Sequence, residues 1–94
     1  MLMNCYVIRN RLSGLSEGIL TYKTDDEASV EACEFLVKVR RRPIDEHDLL
    51  IVGTFDNETN ELTPCNSHAI PWDKRRIGNN ITAPLAEVEK SINN

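Results

Sequence analysis

The sequence lacks the features that mark membrane and secreted proteins. Aromatic residues make up 5% of its 94 residues. No apolar run approaches the roughly 20 residues that span a bilayer. The opening MLMNCYVIRN has no basic segment before its short apolar stretch and no small-residue cleavage site, so it does not resemble a signal peptide. We expect one small domain in the cytoplasm, because so short a chain cannot close two separate cores.

Cysteine and histidine are too few and too scattered to predict a disulfide framework or a metal site. Cys5, Cys33 and Cys65 form no CxxC pair, and their odd number favours reduced thiols. The two histidines, His47 and His68, have no ligand spacing relative to the cysteines. We expect no metal and no cofactor.

Motifs of catalysis are also absent. The sequence has no nucleophile motif, no phosphate-cradling glycine loop and no HExxH metal site. His47 stands among Asp45, Glu46 and Asp48, a setting in which an imidazole can act as a general base, but the same pattern is commoner in solvated loops. We therefore expect a protein that is not an enzyme.

The basic residues are unevenly placed, although the net charge is −4. Screening over about 10 Å makes the local field matter more than the total, so an anionic partner is not excluded. Eight of the 11 basic residues form three groups: Arg9 and Arg11; Arg40, Arg41 and Arg42; Lys74, Arg75 and Arg76.

Local patterns predict two strands and then a helix. NCYVIRN, residues 4–10, alternates between two faces, RLSGLSEG has the composition of a loop, and ILTYK, residues 19–23, suits a second strand. Thr24 and Glu27 fit a capping box, and Pro43 ends the helix. The face predicted to pack on a sheet comprises Ala28, Ala32, Phe35, Leu36 and Val39.

A second apolar stripe flanks that face of the helix. Val30, Cys33 and Val37 recur at helical spacing, and a small sheet covers only one side of a helix. The stripe therefore predicts contact with another surface, such as a second copy of the chain. The alternative is that the C-terminal tail covers the stripe within one chain.

The second half of the chain predicts a hairpin and a tail. DLLIVGTFD, residues 48–56, has the continuous apolar character of a central strand, with Gly53 at a bulge or close approach. ELTPC, residues 61–65, returns as a strand that Pro64 confines to an edge or an end. We predict an α+β fold, a small antiparallel sheet in β-β-α-β-β order with one amphipathic helix packed on it. Residues 1–66 form this core, and 67–94 form an irregular tail with a short helix from about residue 84.

The basic groups suggest a site for single-stranded nucleic acid. Lys74, Arg75 and Arg76 closely follow Trp72, and binding of a single strand needs cations along the phosphates and rings that stack on bases. The alternatives are that arginines at the helix end serve the helix dipole, and that Trp72 holds the tail on the core.

Two segments carry a resemblance to a known family. YVIRNRLSGLSEGILTYKTDDEASVEACEFLVKV and DLLIVGTFDNETNELTPC together resemble the small nonstructural protein of gokushovirus-type microviruses, which are single-stranded DNA phages. The similarity covers Tyr6 to Cys65 and leaves out Trp72 and the basic residues after it. It implies a protein of the infected bacterial cytoplasm that is not built into the capsid. It also implies a counterpart of microvirus protein C, which helps to turn genome synthesis from duplex replication to packaging of single strands.

The sequence supports two hypotheses of function. The first is a homodimer that binds single-stranded DNA during genome replication or its switch to packaging. The second is a dimeric interaction module that engages the viral replication initiator or a host factor through Val30, Cys33 and Val37, without contacting DNA. Candidate DNA contacts are Arg9, Arg11, Arg40, Arg41, Arg42, Trp72, Lys74, Arg75 and Arg76.

Overall fold

The computed structural model describes residues 1–78, which contain four strands and one α-helix. The elements are β1 (Leu2–Asn10), β2 (Ser16–Tyr22), α1 (Asp25–Glu34), β3 (His47–Asp56) and β4 (Glu61–Ile70). A π-helical turn, Phe35–Val39, continues α1, and a 3-10 turn, Ile44–Glu46, precedes β3. The predicted α+β class and β-β-α-β-β order are confirmed. The helix predicted from about residue 84 lies outside the described residues.

The four strands form one antiparallel sheet in the order β2-β1-β3-β4. The apolar strand β3 is therefore internal, as predicted. Gly53 marks a register shift against both neighbouring strands. A Cβ at Gly53 would lie 3.1 Å from the Cα of Pro64 on β4, so the predicted close approach of two backbones is also present.

The helix starts at the predicted cap, with the Thr24 half of the capping box in place. The Thr24 hydroxyl accepts a hydrogen bond from the Glu27 amide at 3.1 Å, which satisfies one free donor of the first turn. Its end differs from the prediction because the π-helical turn widens the spiral. The wider turn rotates the following residues, and Val39, predicted to face the sheet, is 66% exposed.

The hydrophobic core lies between the helix and one face of the sheet. Tyr6 and Ile8 of β1 meet Leu49 of β3 and Leu36 of the helical segment there, and all four are at most 1% exposed. The Tyr6 hydroxyl donates to the Asp25 carboxylate at 2.6 Å, which joins β1 to the first turn of α1. Burial, followed by this bond, raises the pKa of Tyr6 above its ordinary value.

Strand β4 is longer than the sequence predicted. It continues to Ile70, so the boundary expected at residue 66 falls inside a strand. Leu50 pairs with Ala69 and Leu49 with Ile70 in this added part. The prediction was wrong because β4 is a sheet edge with nine of its ten residues exposed, and such a strand needs no apolar alternation.

The segment 71–78 packs on the helix and covers the flanking stripe. The Asp73 amide donates to the Ser29 carbonyl oxygen at 3.1 Å, and Ile77 joins the core that contains Cys33 and Val37. Val30, Cys33 and Val37 are only 4%, 0% and 6% exposed in a single chain. The predicted partner contact at these three residues is therefore corrected, because their own chain already buries them.

Candidate interaction surfaces

Five of the eight basic residues that were predicted to contact DNA lie at one end of the sheet. Arg9 and Arg11 lie where β1 finishes, and Arg40 to Arg42 follow the π-helical turn. The Arg40 guanidinium contacts Glu17 at the start of β2 at 3.0 Å, and the Arg11 amide donates to the Glu46 carbonyl at 2.9 Å. We call this surface the arginine end.

Acidic groups balance most of the charge at the arginine end. Arg40 pairs with Glu17, and the Arg11 guanidinium lies 3.7 Å from Asp48 and donates to the Asp45 carbonyl oxygen. Four carboxylates and five guanidinium groups belong to this end of the chain, which leaves a local charge of +1. The carboxylates are those of Glu17, Asp45, Glu46 and Asp48. So small an excess provides little of the field that attracts a polyphosphate chain.

Within residues 1–78, Arg9, Arg41 and Arg42 make no ion pair. Arg41 has φ 55°, in the left-handed region that favours glycine. This conformation lets the Arg42 amide donate to the Leu36 carbonyl oxygen at 3.1 Å and so close the helix. An arginine occupies a position where glycine would be less strained.

Exposed apolar side chains share this end with the arginines. Leu12 and Leu15, in the loop between β1 and β2, are 79% and 71% exposed, and Val39 also points outward. The sequence did not predict these side chains as exposed contacts. Two leucines inside a loop otherwise rich in glycine and serine were the one local sign of them.

A crevice of about 130 Å³ opens beside the Arg40–Glu17 pair. Ile8, Leu20 and Phe35 supply apolar lining. The Oε2 atom of Glu17 is buried and has no hydrogen-bond partner among the described residues, while Arg40 holds Oε1. The crevice therefore combines an apolar floor with one unused acceptor.

The second basic triplet lies on a different surface from the first. Arg75 pairs with Asp73 at 2.9 Å, and Arg76 lies 3.9 Å from Glu31 and 3.5 Å from Glu34 on the helix. Lys38 donates a hydrogen bond to the Glu34 carboxylate, and this bond, with a smaller contribution from Arg76, holds the pKa of Glu34 below its usual value. Arg40 of the first triplet reaches Glu17 on β2 instead. The two triplets thus contact different parts of the chain, and Arg40, Arg75 and Arg76 each lie against a carboxylate.

Trp72 anchors the segment after β4 and is not a free stacking platform. Its indole Nε1 donates to the His47 carbonyl oxygen at 3.0 Å, and its ring packs against the core. This geometry fits the alternative that Trp72 holds the tail on the core, while the indole is only partly buried and its stacking on bases stays a prediction.

The sheet face opposite the helix is largely apolar, and neither the helix nor the segment 71–78 packs on it, although neighbouring side chains leave Cys5 only 2% exposed. Successive side chains of a strand alternate between faces, and the register of Ile8 with Leu49 fixes which residues face the helix. The helix and the segment 71–78 both lie on that side. We call the other side the open face; it carries Met3, Cys5, Val7, Ile19, Leu50, Phe55, Leu62 and Ala69.

Comparisons with known proteins identify no relative. No protein-family model, curated protein or solved structure matches the chain. In the described part, no His, Cys, Asp and Glu side chains form a group of three or more that could hold a metal ion. No helix between residues 1 and 78 has the length and apolar character needed to cross a membrane.

Proposed function

We propose that the chain is a nonstructural protein of a gokushovirus-type phage that acts by binding another protein at its arginine end. Its site of action is the cytoplasm of the infected bacterium. The partner class is the viral replication initiator or a host factor of genome synthesis. The observation that supports this most is that exposed Leu12 and Leu15 share one end of the sheet with arginines that have no ion pair within residues 1–78, and that the charges at this end nearly cancel.

The composition of the arginine end suits a protein partner better than a polynucleotide. Protein interfaces are enriched in arginine, and their energetic centres combine arginine with apolar anchors. Polynucleotide sites need an excess of cations, and four of the nine predicted contacts already neighbour carboxylates, namely Arg11, Arg40, Arg75 and Arg76.

The backbone at Arg41 supports a functional role for this residue. A left-handed conformation costs an ordinary side chain roughly 1 kcal/mol relative to glycine. Strain of this kind concentrates at binding sites, where the side chain contributes more than the strain costs. Arg41 and the adjacent Arg42 are thus the charged groups that we assign to the partner contact.

The crevice beside Arg40 indicates part of the partner's chemistry. An apolar side chain of the partner fits between Leu20 and Phe35, and a neighbouring N–H or O–H donor reaches the buried Oε2 of Glu17 once that side chain turns toward the crevice. A buried acceptor without a donor costs roughly 1 to 3 kcal/mol, so supplying that donor adds to affinity.

Single-stranded DNA is the second candidate. Arg9, Arg41 and Arg42 have no carboxylate partner among residues 1–78, and three guanidinium groups at one end can contact phosphates. This alternative requires affinity for an oligonucleotide that falls steeply with salt. The protein-binding proposal requires a complex that survives nuclease.

The test is capture of tagged full-length chain from infected cells after cross-linking and nuclease treatment. We expect one viral or host replication protein to be retained, and expect Leu12→Ser with Leu15→Ser, or Arg41→Ala with Arg42→Ala, to reduce its recovery at least tenfold. Leu2→Ser and Arg75→Ala are the matched controls, since both residues are exposed and lie away from the arginine end. Loss of every captured protein on nuclease treatment would overturn the proposal.

A further inference from the structure

We infer that the open face binds a second copy of the chain, so that two sheets pack face to face in a homodimer. This surface meets the arginine end at Arg9 and Ile19 and otherwise lies apart from it, and it is separate from the helix stripe that the sequence indicated. The inference goes beyond the proposed function and does not depend on it.

The open face exposes apolar side chains and carries no net charge. Ile19 on β2 and Leu62 on β4 are 61% and 57% exposed, and Val7 and Leu50 on the two strands between them continue the apolar patch across the sheet. The charged residues that the register places on this face are Arg9 and Asp48, which stand opposite each other on β1 and β3 at one end and whose charges sum to zero. A face with no net charge can meet an identical face without repulsion.

The edges of the sheet are poorly suited to pairing with another strand. In β4, Pro64 has no amide hydrogen, and the register against β3 is irregular from Ile51 to Gly53. In the other edge strand, β2, the register with β1 shifts between Val7 and Ile8. Bulges and proline are devices that block edge pairing, so the broad face remains the better site for association.

The size of the open face lies near the lower limit for a specific interface. Four strands at about 4.8 Å spacing, with about seven residues of about 3.4 Å each, give a face of roughly 19 by 24 Å. When two copies pack face to face, the two flat faces together cover roughly 900 Å². The solvent-accessible area is larger because side chains project from each face, which brings it closer to the roughly 1,200 Å² at which stable interfaces begin. The sheets would stack about 10 Å apart, as in a β-sandwich.

The chain's own C-terminal segment is the main competing occupant. The helix predicted from the sequence around Leu85, Val88 and Ile92 would be about nine residues and 14 Å long, and about 10 Å wide. It would cover roughly a third of the open face. The described chain also reaches Gly78 on the helix side of the sheet, where Arg76 contacts Glu31 and Glu34. A second copy covers the whole face and is the better match.

Sedimentation equilibrium of the purified full chain tests the inference. We expect a mass of about 21 kDa, twice the 10.7 kDa of one chain, with a dissociation constant at or below about 10 µM. Ile19→Lys with Leu62→Lys is expected to weaken association at least a hundredfold while the circular dichroism spectrum stays unchanged, because both side chains are exposed. Leu12→Lys, at the arginine end, is the control and should leave the dimer intact.

Three outcomes would overturn the inference. The first is a monomer at about 100 µM for the unaltered chain. The second is a dimer that the Ile19→Lys and Leu62→Lys changes leave intact. The third is a monomeric full chain that becomes a dimer when Leu85 and Val88 are changed to serine, which would identify the C-terminal segment as the occupant. None of these outcomes bears on the partner captured at the arginine end.

Discussion

The indole Nε1 of Trp72 donates a hydrogen bond to the main-chain oxygen of His47, 3.0 Å away. This bond ties the segment after β4 to the first residue of β3, 25 positions earlier in the chain. The same segment holds Asp73 against Ser29 of the helix. Trp72 thus contributes to the fold, and the stability of Trp72 variants can be measured without any binding partner.

Replacing Trp72 with phenylalanine should lower the free energy of unfolding by about 1 kcal/mol, because the His47 carbonyl loses its donor. Trp72→Ala should cost more, about 3 kcal/mol, since the packing of the ring on the core is lost as well. Urea denaturation followed by circular dichroism measures both. Unchanged stability for Trp72→Ala would show that the indole does not hold this segment.

Arg41→Gly should stabilise the fold by about 1 kcal/mol, because glycine adopts the left-handed conformation without steric cost. The same change should impair capture of the partner protein if Arg41 serves the partner contact. Arg42→Gly is the control, and no gain in stability is expected for it. A stability loss on Arg41→Gly would contradict the assigned strain.

Gly53→Ala should destabilise the fold by about 1 to 3 kcal/mol, because the new methyl group would press on the β4 backbone near Pro64. Gly18→Ala is a matched change in another strand, and a Cβ there meets nothing within 4 Å. Its expected effect is within about 0.5 kcal/mol of zero. Thermal unfolding of the two variants gives the comparison, and equal effects would count against the close approach at Gly53.

Stability should decline in alkaline solution from about pH 9 upward. Burial raises the pKa of Cys33 from 9.0 to about 11, and burial with the Asp25 bond raises that of Tyr6 above 10.0. Below pH 9 both folded and unfolded chains hold these protons, so the full stability is present. As the pH rises, the unfolded chain releases them first, which favours unfolding.

The variant Tyr6→Phe isolates the tyrosine contribution to this alkaline loss. It should be less stable at neutral pH by about 1 to 2 kcal/mol, because the hydrogen bond to Asp25 is gone. It should then lose less stability than the unaltered chain above pH 10. Urea titrations at a series of pH values provide the measurement, and parallel curves for the two proteins would contradict the shifted pKa of Tyr6.

The sequence predicted the elements whose signals are local. Thr24 and Glu27 identify the helix start because a capping hydroxyl and its amide lie within one turn. Gly53 and Pro64 identify a close approach and an edge strand because each residue type restricts the backbone. These features need no knowledge of distant parts of the chain.

The remaining features depend on contacts far apart in the sequence. Nothing near Val30 or Cys33 indicates that the segment 71–78 covers them, and the sequence left that choice open. The π-helical turn that exposes Val39 has no residue signature of its own. The candidate site was partly predictable: the five arginines are grouped at one end, but their balance by Glu17 and Asp48 appears only in three dimensions.

Binding of a labelled single-stranded oligonucleotide, followed by fluorescence anisotropy at about 50 mM salt, tests the central claim that the protein acts on protein and not on DNA. The account predicts no binding in the micromolar range, and no difference between the unaltered chain and Arg41→Ala with Arg42→Ala. Micromolar affinity that falls steeply with added salt, and is lost when Arg41 and Arg42 are changed, would contradict it.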